Sequence, residues 1–210
     1  MRTESDRPVY EVEAKYRVRD GAALVGALDR HGIQLSPSIR QDDQAYAPAG
    51  WRFGMPKIGV PFARLRTQHD QHLFTVKRPV SNELACVEHE TAVADRGQMH
   101  GALLAMGFAP TVRIVKSRRT GRWGAVSLCL DTVDGVGVFL ELERLLNPDG
   151  AGDLAQSELN RMARLLGVDG QRVIETYDSL VHAANQPGGG SSEQRTGAGE
   201  PLAVGGYSLA

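Results

Sequence analysis

A mainly β protein of the α+β class is what this 210-residue sequence predicts: an eight-stranded antiparallel closed barrel with helices packed on its outside. Three observations carry that expectation. Short stretches in which apolar and polar residues alternate recur along the chain, separated by turn residues. Helical segments are few and stand between or after groups of strands. The polar face of strand after strand carries like-charged residues at i, i+2, which is costly unless ions or opposite charges lie between them.

The elements follow in order. Successive side chains on a strand point to opposite faces. Residues 9–19 therefore put Val9, Glu11, Glu13, Lys15, Arg17 and Arg19 on one face and Tyr10, Val12, Ala14, Tyr16 and Val18 on the other. Residues 21–32 read as a helix stopped by Gly32. A short extended piece covers 40–46, and residues 47–61, with several Gly and Pro, read as a loop. Strands at 62–68 and 72–78 flank a His-Asp-Gln turn, a further strand covers 85–94, and a helix over 96–106 ends at Gly107. Strands at 111–119, 123–132 and 138–145 follow, then helices at 154–166 and 171–184. Residues 1–184 form one domain. Residues 185–210, rich in Gly, Ser and Pro, are too poor in apolar side chains to fold and are expected to be a disordered tail.

Composition narrows the function. The formal net charge of −1 gives no overall field to draw the chain to nucleic acid or an anionic membrane. The two cysteines, Cys86 and Cys129, sit in apolar, strand-like runs without zinc or redox spacing and read as buried thiols. The N-terminus carries no apolar signal-peptide core, and no 18-residue apolar run occurs, so the expectation is a cytoplasmic protein without membrane association.

Charge is instead arranged locally. Arg64 pairs with Arg66 opposite Leu65; Lys77 shares a face with Thr75; Glu88 pairs with Glu90; Lys116 with Arg118; Glu141 with Glu143; and Asp131 stands opposite Val126, Leu128 and Leu130. A solvated face would explain any one of these strands. Repetition along the chain favours a closed barrel with the charged faces inside and the apolar faces under the helices. Hard carboxylate ligands beside basic groups are what a phosphate chain with Mg²⁺ or Mn²⁺ requires. Arginine suits terminal phosphates through its planar fork, and lysine acts as a point charge. His69/His72 at a turn, Trp51 and Trp123, and the Gly135-Val-Gly137 stretch carry weaker functional signals, better explained by packing or turn geometry, and Arg118-Arg119 does not point to RNA because the chain as a whole is not basic.

The motifs resemble the CYTH superfamily, the triphosphate tunnel metalloenzymes. The resemblance runs in order through Glu11-x-Glu13-x-Lys15, Gln41-Asp-Asp-Gln-Ala-Tyr46, Ala63-Arg-Leu-Arg66, Phe74-Thr-Val-Lys-Arg-Pro79, Glu88-His-Glu90, Val115-Lys-Ser-Arg118 and the Leu130–Glu143 block. It leans toward the branch with class IV adenylyl cyclases and thiamine-triphosphatase-like proteins. It implies a tunnel that binds a triphosphate with one or two divalent cations, Mg²⁺ or Mn²⁺. Members either hydrolyse a triphosphate or cyclise ATP. The resemblance makes Glu11, Glu13, Glu141 and Glu143 the metal ligands, with Glu88, Glu90 and Asp131 holding the metal's waters or bracing its ligands. Arg64, Arg66, Lys77, Lys116 and Arg118 grip phosphate, and Lys15 sits by the reacting phosphate, with Glu13 and Glu90 also close to the chemistry. Cys86 stands where several members have a basic residue, and the 47–61 loop alters what caps the tunnel.

The expected function is a metal-dependent phosphohydrolase acting on an inorganic, thiamine or nucleoside triphosphate. The alternatives are a class IV adenylyl cyclase and a non-catalytic polyphosphate- or nucleotide-binding module. The expected partner is a small triphosphate or organic polyphosphate; nucleic acid is not expected.

Overall fold

The computed structural model describes residues 10–80, 86–146, 152–168 and 172–186, with the side chains of Tyr10, Glu11, Gly152 and Asp153 outside the description. The elements run β1 (Tyr10–Val18), α1 (Gly21–Arg30), β2 (Ile39–Pro48), β3 (Phe62–Gln68), β4 (Gln71–Pro79), β5 (Cys86–Val93), α2 (Arg96–Ala105), β6 (Phe108–Trp123), β7 (Val126–Val133), β8 (Gly137–Leu146), α3 (Gly152–Leu165), β9 (Arg172–Val173) and α4 (Tyr177–Ala184). All the strands belong to one sheet in the order β5-β4-β3-β2-β6-β7-β8-β1-β9, and every pairing is antiparallel.

Local chemistry accounts for the ends of the elements. Asp20 and Asp95 cap α1 and α2 by accepting hydrogen bonds from the Ala23 and Gln98 amides, both at 2.9 Å. The β3–β4 hairpin turns through His69 and Asp70, both in the left-handed region at φ 46° and 60°, as a two-residue turn that follows the strand twist demands. The β6–β7 turn falls at Gly124, so Trp123 ends β6 rather than starting β7.

The apolar faces of the sheet lie outward under helices, as the alternation predicts. Ala14, Tyr16, Val18, Leu128, Leu130, Leu140 and Leu142 form the main core with Leu24, Ala27 and Leu28 of α1 and Leu159, Met162 and Ala163 of α3. A second core sets Tyr46, Ala63 and Leu65 against Leu103 and Met99 of α2. The third differs in kind. Val181, Tyr177 and Leu180 of α4 pack on Val112, Ile114, Val133 and Phe139, which lie on the opposite, inward face. α4 therefore closes on the inside of the curve.

Two expectations need correction. Among the described residues no ladder joins β5 to β1 or β9, so the sheet curls round a cavity without closing into a barrel. One reason is visible at β1, whose second edge is taken by β9 through Lys15↔Val173 and Tyr16↔Arg172. That same pairing breaks the helix expected over 171–184: its first part is extended, and only Tyr177–Ala184 is helical. β6 is also longer than expected, because pairing with β2 and β7 carries it through Pro110 and Gly121. Neither cysteine forms a disulfide; Cys129 is buried as expected, whereas Cys86, on the exposed edge strand β5, is only partly buried. Of the expected 185–210 tail, Asn185 caps α4 and residues 187–210 lie outside the described residues.

Leu142 is fully buried on β8 between the sheet and the helix layer. Leu142→Ala is expected to destabilise the domain by about 2–5 kcal/mol, through lost burial and the cavity left behind. Urea unfolding of the two forms checks it; a loss below about 1 kcal/mol would show that this core is not closely packed.

Candidate active site

The inward face of the curled sheet is charged, and a cavity of about 240 Å³ runs along it. Its walls come from nearly the whole sheet: Glu13 and Lys15 of β1, Arg64 and Arg66 of β3, Lys77 of β4, Glu88 of β5, Lys116 and Arg118 of β6, and Glu141 and Glu143 of β8. Strands from the β5 edge through the centre to β1 thus face one space.

At one side acids and bases interleave. Lys15 Nζ is 3.3 Å from Glu13 Oε1 and 3.4 Å from Glu141 Oε1, and it donates to the Glu175 carbonyl at 3.2 Å. Glu141 is also bonded by Arg118. Arg118 forks onto Asp131 at 2.7 and 2.5 Å, and Lys116 donates to the same carboxylate at 2.8 Å. Asp131 is fully buried between these two bases. The structure therefore brings Asp131 to the cation set, behind the cavity wall, rather than to the Glu13/Glu141/Glu143 group.

Glu13 and Glu143 are direct cross-strand partners, and Lys15 faces Glu141 one step along. The Lys15 contact to Glu13 Oε1 lacks hydrogen-bond geometry, which leaves that buried oxygen without a donor. Cys129 Sγ and carboxylate oxygens of Glu141 and Glu143 lie within 4.8 Å of one another. The carboxylates of Glu141 and Glu143, with the buried, unsatisfied Glu13 oxygen on the adjoining strand, are the hard oxygen ligands that suit a divalent cation. Glu11 lies on the same strand, but its side chain is outside the described residues.

The other side is more basic and more open. Arg66 is held by Asp43 through two 2.7 Å bonds, both groups buried. Arg64 donates to Thr75 at 3.0 Å and to Glu90 at 3.1 Å, and Lys77 pairs with Glu88 at 2.6 Å. β5 is exposed along most of its length, so Glu88 stands at the rim and Glu90 reaches the interior only through its bonds to Arg64 and Thr75.

This arrangement is matched by a family: the CYTH domain model covers residues 9–177. The chain belongs to the CYTH family. A curated relative, "Putative adenylate cyclase" of Methanocaldococcus jannaschii, is 23% identical over 166 residues, which is 78% of this chain and 93% of that one. Among solved structures, a protein from Pyrococcus horikoshii superposes with a TM-score of 0.69 at 23% identity, covering 82% of this chain and 98% of that one. A Hippeastrum adenylyl cyclase homologue described as having a dominant triphosphatase activity gives a TM-score of 0.59 at 16% identity, over 86% of this chain and 99% of that one. At such identities these structures show the shared fold.

Four residues of this CYTH domain's cavity went unselected in the sequence. Asp43 was visible in principle, as the acid that shares a strand face with Gln41 and Ala45. Tyr177 and Lys57 were not. Tyr177 enters from α4, with the Lys15 and Lys116 ammonium groups 4.4 and 4.6 Å from its ring centre. Its hydroxyl lies near Asp131 without a bond of normal geometry, and burial with the nearby Glu141 and Asp131 charges raises its pKa. Lys57, from the 49–61 loop, donates to Thr176 and Ser179 at 2.9 and 2.8 Å and lies 3.6 Å from Asp178, tying that loop to the start of α4. Trp51 lines the cavity and meets Phe62 edge to face at 5.0 Å. Among the described residues, no helix is long and apolar enough to cross a membrane.

Burial acts on all the ionisable groups of the CYTH cavity, and their neighbours decide the outcome. Burial lowers Lys15, but Glu141 and Glu13 more than offset it and the net shift is upward, so Lys15 is held as an ammonium. Lys116 is lowered by burial and then by Arg118. Burial, reinforced by Glu141, raises Glu13 from 4.5 to about 7 against the pull of Lys15. Burial also disfavours ionised Glu141, but Arg118, Lys15 and Lys116 outweigh it and hold that carboxyl down at about 2.

The two glutamates therefore act in separate pH windows. Between 4.5 and about 7 folded Glu13 keeps a proton that the unfolded chain has lost. Stability then falls as pH rises through that window. Glu141 contributes stability that is present above 4.5 and is lost as pH falls toward about 2. Metal-free protein is expected to show a melting temperature that declines between about pH 4.5 and pH 7, and Glu13→Gln is expected to flatten that decline. An unchanged slope in the variant would refute the assignment to Glu13.

Proposed function

We propose that this CYTH domain is a divalent-metal-dependent enzyme acting on a triphosphate, a phosphohydrolase in preference to a cyclase. One observation carries the reading. A carboxylate group with a buried, unsatisfied oxygen and a set of guanidinium and ammonium groups face the same cavity from opposite parts of one sheet. Phosphoryl transfer asks for such a site, because catalysis there is mostly positioning and neutralisation of charge.

Glu13, Glu141 and Glu143 would hold Mg²⁺ or Mn²⁺, which supplies Lewis-acid withdrawal of charge from the phosphate oxygens. The residues of the chain do the rest. Arg64 and Lys77 bind one end of the phosphate chain, exchanging their present Glu90 and Glu88 contacts for phosphate oxygens. Lys116 and Arg118, aimed by Asp131, meet the other end. Arg66 is held by Asp43 through Nε and Nη2, which fixes its guanidinium in the basic wall. Lys15, held protonated, is a cation at the reacting phosphorus and not a proton acceptor. Water attacks the terminal phosphorus, the anhydride P–O bond breaks, the diphosphate leaves with the bond electrons, and the water proton passes to solvent.

Hydrolysis is preferred because water needs no placement by a nucleoside pocket, whereas cyclisation requires the ribose hydroxyl to be held in line with the α-phosphorus. The described triphosphatase activity of the Hippeastrum protein supports that preference. The name of the archaeal relative favours the cyclase as the second reading.

Tripolyphosphate, ATP and thiamine triphosphate incubated with Mg²⁺ or Mn²⁺ separate the readings. Phosphate release without cyclic AMP is expected; cyclic AMP with pyrophosphate would sink the hydrolase, and no product would leave only a binding module. Glu13→Ala and Glu143→Ala are each expected to cost on the order of 100-fold or more in metal-dependent turnover, with the fold retained by circular dichroism. Wild-type rates in either variant would remove the metal assignment.

A further inference from the structure

Alternation along β7 puts Ser127, Cys129 and Asp131 on the inward face of the sheet and Val126, Leu128 and Leu130 on the outward one. Cys129 stands directly across from Glu141 on β8, and Ser127 across from Glu143, so Glu143 is the diagonal neighbour of Cys129 on the same face. The Cys129 sulfur and one oxygen of each glutamate lie within 4.8 Å of one another.

The plain alternative is packing, since a buried cysteine behaves as a small apolar side chain. Cys129 is buried, yet it belongs to none of the three apolar cores, whereas its neighbours Leu128 and Leu130 belong to the largest. The thiol thus stands on the charged face and not in an apolar cluster. Zinc bonds of about 2.3 Å to thiolate and about 2.0–2.2 Å to carboxylate oxygen set two ligands of one ion no more than roughly 4.5 Å apart. The three atoms already stand near that separation. Glu141 meets Lys15 through Oε1 and Arg118 through Oε2, and each carboxylate oxygen keeps a second lone pair for another partner. Glu141 and Glu143 line the cavity, so a cation that enters it meets these two carboxylates with the thiol close behind.

Resting on the metal reading of Glu141 and Glu143, we infer that Cys129 is a further ligand at that site and fits it to a thiophilic divalent cation of the Zn²⁺ class. Thiolate is the ligand, so binding releases the thiol proton to solvent. Mg²⁺ takes oxygen ligands and has no use for the sulfur, whereas thiolate beside carboxylate selects the softer ion. The two kinds of cation share Glu141 and Glu143 and therefore exclude each other.

The test titrates the full chain, freed of metal, with Co²⁺, whose bond to thiolate gives a charge-transfer band in the near ultraviolet that oxygen ligands do not give. The chain has two cysteines, so single variants assign the band. It is expected in the wild type and in Cys86→Ser, and is expected to vanish in Cys129→Ser. Zn²⁺ is expected to bleach it by displacing Co²⁺. Competition with a chromophoric chelator is expected to show Zn²⁺ held on the order of 100-fold more weakly by Cys129→Ser, with Mn²⁺ binding unchanged. A wild type that binds Co²⁺ without the band overturns the inference, as does loss of the band in Cys86→Ser. Equal weakening of Zn²⁺ and Mn²⁺ in Cys129→Ser also overturns it, since that is the signature of a structural role. Failure of the wild type to bind any of the three ions removes the metal reading and this inference together. Mn²⁺-dependent phosphate release from a protein whose Co²⁺ form lacks the band would leave the enzymatic reading standing and remove Cys129 from the site. A protein that shows the band yet yields no product with any divalent ion would sink the enzymatic reading and leave the Cys129 assignment standing.

Discussion

A chain of buried ion pairs holds this molecule's inner face together. It runs from Glu13 to Lys15, from Lys15 to Glu141, from Glu141 to Arg118, and from Arg118 through Asp131 to Lys116. Several of these groups are almost inaccessible to water, and an isolated charge there would cost many kcal/mol. They are tolerated because each has a partner of opposite sign. The inner face is therefore a matched set, and removing one member exposes its neighbour as an uncompensated charge.

The same chain sets the site up for a charged ligand. Asp131 is consumed in aiming Lys116 and Arg118, and Asp43 does the same for Arg66. Buried acids of this kind anchor bases in fixed directions, so little ordering remains to be done when phosphate oxygens arrive. Glu13 stands apart. Its carboxyl is raised to about 7 by burial and by Glu141 and keeps a buried oxygen without a donor. Such a group gains most from a cation. The unsatisfied oxygen of Glu13 sets it apart from Asp43 and Asp131, whose oxygens are taken up in aiming bases, and residue type alone does not draw that line.

Two outer features shape access. α4 packs on the inward face, where its Tyr177 ring lies beside Lys15 and Lys116, and Lys57 ties the 49–61 loop to the residues at the start of that helix. That loop also carries Trp51 to the apolar side of the cavity. One segment thus contributes both to closure and to the wall that borders the phosphate-binding bases. Cys86 takes part in that wall and extends its apolar surface.

Much of this was legible in the sequence because strand geometry is so regular. Alternation alone assigned Glu13, Lys15, Arg64, Arg66, Lys77, Lys116, Arg118, Glu141 and Glu143 to one face, and the like-charged spacing said that this face could not simply be wetted. The positions of β3 and the first two helices followed from capping and turn residues that act over a few neighbours. What the sequence could not contain were relations set by distance across the fold. Nothing local reveals that Arg172 and Val173 pair with the β1 edge and leave the sheet unclosed, or that Tyr177 enters the cavity. That Asp43 and Asp131 aim bases while Glu13 keeps an unsatisfied oxygen also rests on which side chains meet after the sheet curls. Periodicity fixes which way a side chain points, because that depends on the backbone of its own strand; its partner is fixed only by the register and curvature of the whole sheet.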